Sequence, residues 1–262
     1  MKDVLTPPET LQAAVAAGRA KVALQRRPLR MLLMTMLAGA YIAMGGILSV
    51  TAGFGLPEAS AGNPALQRLV SGATFPVGLI LVVVLGAELF TGNNAMLVPG
   101  ALRRQYAWGW VWSNWILVWA GNFIGALAFT CFMVWMPGLT AADPWHSAVI
   151  SIAEAKVSMP WLTVFLKGIG ANWFVCAAVW LAMSSRSMAG KVLGCWFPVM
   201  AFVVLGYEHC IANMFFIPAG MLEGADVTIS QMLTANLIPA TLGNIVGGAL
   251  LVGAVHTYLH HR

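Results

Sequence analysis

Charged side chains make up only 9% of the 262 residues and apolar ones 60%, with a net charge of +5 and a mean hydropathy of +0.80. A soluble domain carries about 25% charged residues, so this chain cannot cover a water-facing surface and lipid must be its solvent. The basic residues are scattered along connections instead of forming a patch on a soluble face, which excludes nucleic acid as an expected partner.

The opening stretch, 1–30, is polar and proline-bearing and has none of the character of a signal peptide. Within it Thr6-Pro7-Pro8 reads as a helix start, and Leu11, Val15 and Val22 fall at helical spacings among Arg and Lys. The segment is either an amphipathic helix at the cytoplasmic surface or a disordered tail. Six apolar runs follow, at Met31–Gly53, Leu69–Leu102, Trp108–Trp135, Trp161–Met183, Val192–Leu222 and Ile229–Leu259. Each is long enough to span a bilayer, which takes roughly 20 apolar residues. The second and fifth are too long for one straight helix, and each carries Gly, Asn, Pro and a carboxylate near its middle. Irregular backbone at membrane depth persists only where protein buries it or it lines a cavity. Two broken helices are therefore predicted.

Lys2, Arg19, Lys21, Arg26, Arg27 and Arg30 precede the first run, Arg103 and Arg104 follow the second, Arg186 and Lys191 follow the fourth, and Arg262 ends the chain. The other connections hold only Arg68 and Lys156 as cations, against Glu58, Asp143, Glu154, Glu223 and Asp226. The positive-inside rule puts both termini in the cytoplasm, as in a multi-pass protein of a bacterial inner membrane. The tryptophans Trp108, Trp110, Trp112, Trp115 and Trp119 read as an interfacial belt plus helix packing.

The broken runs repeat each other. Gly86-Ala87-Glu88 with Asn93 returns 120 residues later as Gly206-Tyr207-Glu208 with Asn213, and Gly121-Asn122-Phe123-Ile124-Gly125 is echoed by Gly243-Asn244-Ile245-Val246-Gly247. One copy holds three spans, so the second enters the membrane upside down. The fold expected is all-α and membrane-integral: six transmembrane helices in an inverted three-helix repeat, with the site at the midplane between the discontinuous helices. The chain is read as one transport domain over 1–262, with repeats at 31–135 and 161–259. The G-N-x-x-G segments are expected to be scaffold, small residues for close helix approach and amides bonding across it.

Glu88 and Glu208 lie deep in the membrane, where an ionised carboxylate costs about 3 kcal/mol or more. They are expected to hold the breaks or pair with a lysine, not to touch an anion. His209 lies in the second break and offers a hydrogen bond or a proton near neutral pH. Thr91 is its polar counterpart in the first break, where its hydroxyl either contacts an ion or caps the following half-helix, a task for which Asn93 and Asn94 compete. Lys156 is expected to draw anions into a vestibule, and Lys167 to snorkel. The histidines His256, His260 and His261 read as a helix end, not a metal site. The four cysteines read as buried free thiols. No enzyme motif is present and no cofactor is expected.

The strings Phe90-Thr91-Gly92-Asn93-Asn94, Gly206 through Met214, Lys167 through Cys176, and Asn236-Leu237-Ile238-Pro239 through Asn244 resemble the formate/nitrite transporter family over nearly the whole chain. The resemblance implies an aquaporin-like protomer with its own pore, assembled as a homopentamer. It implies Thr91 and His209 at the pore centre, with Lys156, Asn172 and Glu208 in the polar network beside the histidine. Phe75, Leu79, Leu89, Phe90, Val175 and Phe202 resemble the apolar constrictions. The Gly92-Asn93-Asn94 turn and Tyr207 lean towards nitrite or formate-dehydrogenase-associated relatives. Asn236 through Asn244 and Met214-Phe215-Phe216-Ile217-Pro218 lean towards formate. Formate is the first reading, nitrite the second and hydrosulfide the third.

A bare anion in an apolar constriction faces a penalty of tens of kcal/mol. Either dipoles and His209 bind the ion between constrictions, or His209 protonates it and the neutral acid crosses. The second is expected for proton-coupled uptake. A water or glycerol channel would not need Lys156 or His209, and a sensor would need a larger soluble part.

Overall fold

The computed structural model describes residues 4–260, so Lys2, His261 and Arg262 lie outside the described residues. Helix α1 (Pro7–Leu24) settles the first alternative left by the sequence: the segment is a helix. The Thr6 amide donates to Glu9 Oε2 at 2.7 Å in a capping box, and Pro7 at the first position needs no N–H partner. Its buried face, including Leu11, Ala14 and Val15, packs against the protein.

Five helices are long and apolar enough to cross a bilayer: α2 (Pro28–Phe54), α4 (Pro64–Leu85), α6 (Trp108–Trp135), α8 (Trp161–Ser184) and α11 (Ile229–His260). A short α3 (Pro57–Ala61) precedes α4. The remaining crossing is built from α9 (Met188–Val204) and α10 (Cys210–Leu222), as α4 is continued by α5 (Phe90–Leu102). An eleventh helix that the sequence reading passed over, α7 (Trp145–Ser158), folds back ahead of α8. The fold is thus an all-α membrane bundle of two inverted halves. In each half the first and third spans pack together, α2 on α6 and α8 on α11. A leading helix packs on each second half-helix, α1 on α5 and α7 on α10.

Both breaks close the same way. Gly86 (φ 78°) and Gly206 (φ 70°) turn left-handed after the first half-helix, a conformation glycine adopts without a Cβ penalty. The Ala87 amide donates to the Val82 carbonyl and the Tyr207 amide to the Phe202 carbonyl, satisfying carbonyls that a helix end leaves open. Pro239 cannot donate to the turn before it, and α11 widens there into a π-type segment over Met232–Leu237 that carries Asn236.

Candidate functional site

The sequences just past the two glycines do the same work in each half. The Glu88 amide donates to the Met34 carbonyl at 3.1 Å, and the Glu208 amide to the Lys167 carbonyl at 3.4 Å. One asparagine then serves the freed backbone of each break. Asn122 Oδ1 accepts from the Phe90 amide at 2.9 Å, and its Nδ2 donates to the carbonyls of Thr35 and Glu88 at 2.7 and 2.9 Å. Asn244 does likewise, accepting from the Cys210 amide and donating to Gly168 and Glu208 at 2.9, 2.7 and 3.0 Å. The flanking glycines make the approach possible: a Cβ on Gly125 would strike the Met36 carbonyl, and one on Gly247 the Ile169 carbonyl. The G-N-x-x-G segments are therefore close-packing scaffold and, beyond that expectation, clasps for the breaks.

The carboxylates are neutralised in parallel. Lys21 Nζ donates to Glu88 Oε1 at 2.8 Å. Lys156 Nζ spans both Glu208 oxygens at 3.0 and 3.1 Å. Asn93 and Asn213 bond the same two carboxylates at 2.8 and 2.7 Å, and in turn Asn114 and Asn236. The pairing with a lysine agrees with one of the roles expected for Glu88 and Glu208. Lys21 was not singled out from the sequence as a site residue. It arrives from α1 as Lys156 arrives from α7, so the two leading helices are counterparts. The halves differ in detail: Lys21 reaches one oxygen of Glu88 where Lys156 reaches both of Glu208, and Asn236 Nδ2 also donates to Glu208 Oε2 at 3.1 Å. Asn236 Nδ2 reaches the Lys156 carbonyl at 3.0 Å, whereas the buried Nδ2 of Asn114 has no protein partner.

Two cavities of about 190 Å³ each approach the middle from opposite sides. One is lined by Lys156, Phe75, Phe202, Tyr207, Glu208 and His209. The other is lined by Lys21, Leu79, Val82, Glu88, Leu89 and Val179. Between them Thr91 Oγ1 and His209 Nε2 stand 3.0 Å apart, both side chains buried. The start of α5 and the start of α10 thus face each other, bringing two positive helix ends to one point. His209 caps α10, its Nδ1 accepting from the Ala212 amide at 3.0 Å. In the neutral ring the proton therefore sits on Nε2, directed at Thr91. Phe202 stacks on the His209 ring at 5.8 Å, and Phe75 meets Phe202 edge-on at 5.9 Å.

The remaining residues named from the sequence are spread around this centre. Asn172 is fully buried behind Thr91, with Nδ2 within reach of the Thr91 carbonyl, Asn94 Oδ1 and the Asn244 carbonyl at 3.2, 3.0 and 2.6 Å. It braces the Thr91 backbone and does not reach Lys156 or Glu208. Val175 is buried on α8, and Phe90 faces a groove of Trp112, Trp115 and Trp119; neither lines the two cavities. Lys167 Nζ rests 3.5 Å from Met159 Sδ. Of the tryptophans, Trp108, Trp110 and Trp112 are exposed, while the Trp115 indole donates to the Asn93 carbonyl at 3.3 Å.

Inverted halves whose broken helices meet at a polar waist, with a cavity on either side, define a membrane transport protein of the channel type. The chain belongs to the formate/nitrite transporter family, whose description "Formate/nitrite transporter" matches residues 8–258. It is 41% identical over 271 residues to a "Probable formate transporter" of Methanothermobacter thermautotrophicus, covering 97% of both chains. It is similar to a solved "FNT family ion channel" with a TM-score of 0.88 at 32% identity, covering 95% of this chain and 98% of that one. It is also similar to a "Pentameric formate channel with formate bound", with a TM-score of 0.78 at 28% identity, covering 91% and 99%.

Proposed function

We propose that this protein moves formate across the cytoplasmic membrane, one pore per protomer, as a homopentamer with both termini in the cytoplasm. The observation that carries the reading is the Thr91–His209 contact, set between two cavities that each hold a lysine–glutamate pair. The lysines draw a monovalent anion inward from either face. Leu79 and Leu89 on one side and Phe75 and Phe202 on the other strip its water. At the waist His209 Nε2–H and the Thr91 hydroxyl donate to it. The names of the relatives support formate, as does the Met214-Phe215-Phe216-Ile217-Pro218 string. The pentamer is supported by the similar solved formate channel, which is pentameric, and the orientation by the lysine and arginine distribution.

Uptake proceeds with a proton in this proposal, His209 passing it to the anion so that a neutral acid crosses the apolar rings. An imidazolium cannot keep the Ala212 bond, because Nδ1 then carries a hydrogen of its own. Proton passage therefore entails a brief opening of the cap at the start of α10. Nitrite is the second reading, favoured by Tyr207, one of the residues lining the Lys156 cavity. Formate, nitrite and water fluxes are to be measured side by side in proteoliposomes over a pH series. Formate should lead and rise as the medium is acidified. Faster nitrite flux at every pH would overturn the formate assignment, and water flux alone would overturn anion transport.

A further inference from the structure

A third groove, of about 700 Å³, opens beside the corner between α1 and α2. Its rim carries Arg26, Arg27 and Arg30, all exposed, and among the described residues none of the three has a carboxylate within ion-pair distance. The one acid in its lining is Glu88, whose charge Lys21 neutralises at 2.8 Å. An uncompensated cluster of three guanidinium groups on a concave surface is suited to a phosphate-type anion, which accepts forked N–H bonds from arginine.

The depth of the groove identifies the source of that anion. The corner is pinned to the start of α6: Gln25 Nε2 donates to the Trp110 carbonyl at 3.1 Å, Gln25 Oε1 accepts from the Ser113 hydroxyl at 2.6 Å, and Arg26 lies over the Trp110 ring at 5.7 Å. Exposed tryptophans at the end of a span mark the headgroup level of a bilayer. Directly along α2, Leu29, Leu33 and Leu37 follow at four-residue spacing and are 70%, 54% and 47% exposed. Residues so spaced share one helix face. Arg30 and Met34 line the groove from α2, and the leucines stand on the neighbouring face of that helix, so an arginine cluster at headgroup depth lies beside an apolar track.

We propose that this corner binds an anionic phospholipid, its phosphate held by Arg26, Arg27 and Arg30 and an acyl chain laid along Leu29, Leu33 and Leu37. A lipid bound there rests against α1, the helix that delivers Lys21 to Glu88. The groove shares Ala17, Lys21 and Glu88 with the second cavity, so the lipid would sit at the mouth of that cavity whichever anion the pore carries.

The test is native mass spectrometry of the purified full chain from micelles containing equal phosphatidylglycerol and phosphatidylcholine. The wild type should retain phosphatidylglycerol selectively. R26Q/R27Q/R30Q should lower its partition ratio about a hundredfold, and R30Q alone severalfold. K191Q, a basic residue outside the groove, should retain it as the wild type does. Inorganic phosphate added at millimolar concentration should not displace the lipid. Equal retention of both lipids, or retention by the triple variant at the wild-type ratio, would overturn the site. Displacement by inorganic phosphate would overturn the lipid as its occupant. If the triple variant fails to fold, the R30Q result decides alone.

Discussion

Thr91 Oγ1 and His209 Nε2 stand 3.0 Å apart although 118 residues separate them in the chain. The contact joins the first turn of one half-helix to the capping residue of the other, from opposite halves, so it exists only because both breaks are held in register. Thr91→Ser keeps the hydroxyl and should leave formate flux close to wild type. Thr91→Ala removes it and should cost roughly three- to tenfold, the worth of about 0.5–1.5 kcal/mol in one hydrogen bond. Stopped-flow flux in vesicles reads the difference; equal rates for the two variants would remove Thr91 from the waist.

His209→Asn retains a donor but has no titratable ring. Formate entry through this variant should no longer acidify the vesicle lumen, as a pH-sensitive dye enclosed in the liposomes would report. Native-rate acidification by the variant would rule out proton transfer by this ring.

Removing one partner of a buried ion pair leaves an uncompensated charge, at a cost of about 3–5 kcal/mol. Lys156→Ala exposes Glu208 to that cost, since both side chains are largely buried. The thermal midpoint in detergent should fall, and Lys156→Ala/Glu208→Gln should recover much of the loss. A double variant less stable than Lys156→Ala would show that the carboxylate is held chiefly by its asparagines.

Asn122→Leu is near in size to the asparagine and keeps no polar atom. It leaves the Phe90 amide and the Thr35 and Glu88 carbonyls without their partner. At about 1–3 kcal/mol for each buried group, destabilisation of at least 3 kcal/mol is expected. Asn122→Asp keeps the acceptor for Phe90 and should fall between the two. Urea unfolding followed by tryptophan fluorescence orders the three proteins.

Gly86 and Gly206 isolate a backbone effect, because a Cβ at either meets nothing within 4 Å. Their left-handed φ values should make Gly86→Ala and Gly206→Ala cost about 1–2 kcal/mol, and Gly86→Asn less. Matching thermal shifts for the Ala and Asn variants would contradict this.

Much of this arrangement was legible in the sequence because the duplication preserves spacing where chemistry requires it. Glu88 to Asn93 and Glu208 to Asn213 are both separated by 5 residues, and Phe90 to Asn122 and Cys210 to Asn244 by 32 and 34. The lysines escape such a search. Lys21 precedes Glu88 by 67 residues and Lys156 precedes Glu208 by 52, since the connections between leading helix and break differ in length. Helix α7 is short, and its apolar residues alternate with Glu154 and Lys156 too closely to register as a span. Phe90 lies beside Thr91, yet its side chain turns to the tryptophan groove, because the following helix directs neighbouring residues to different faces.

Thr91 and His209, and both lysine–glutamate pairs, belong to one and the same chain. In the proposed homopentamer, subunit dosage should therefore be additive. When working and blocked copies are co-expressed and reconstituted together, conductance should fall in simple proportion to the blocked fraction, with no dominance of one copy over its neighbours.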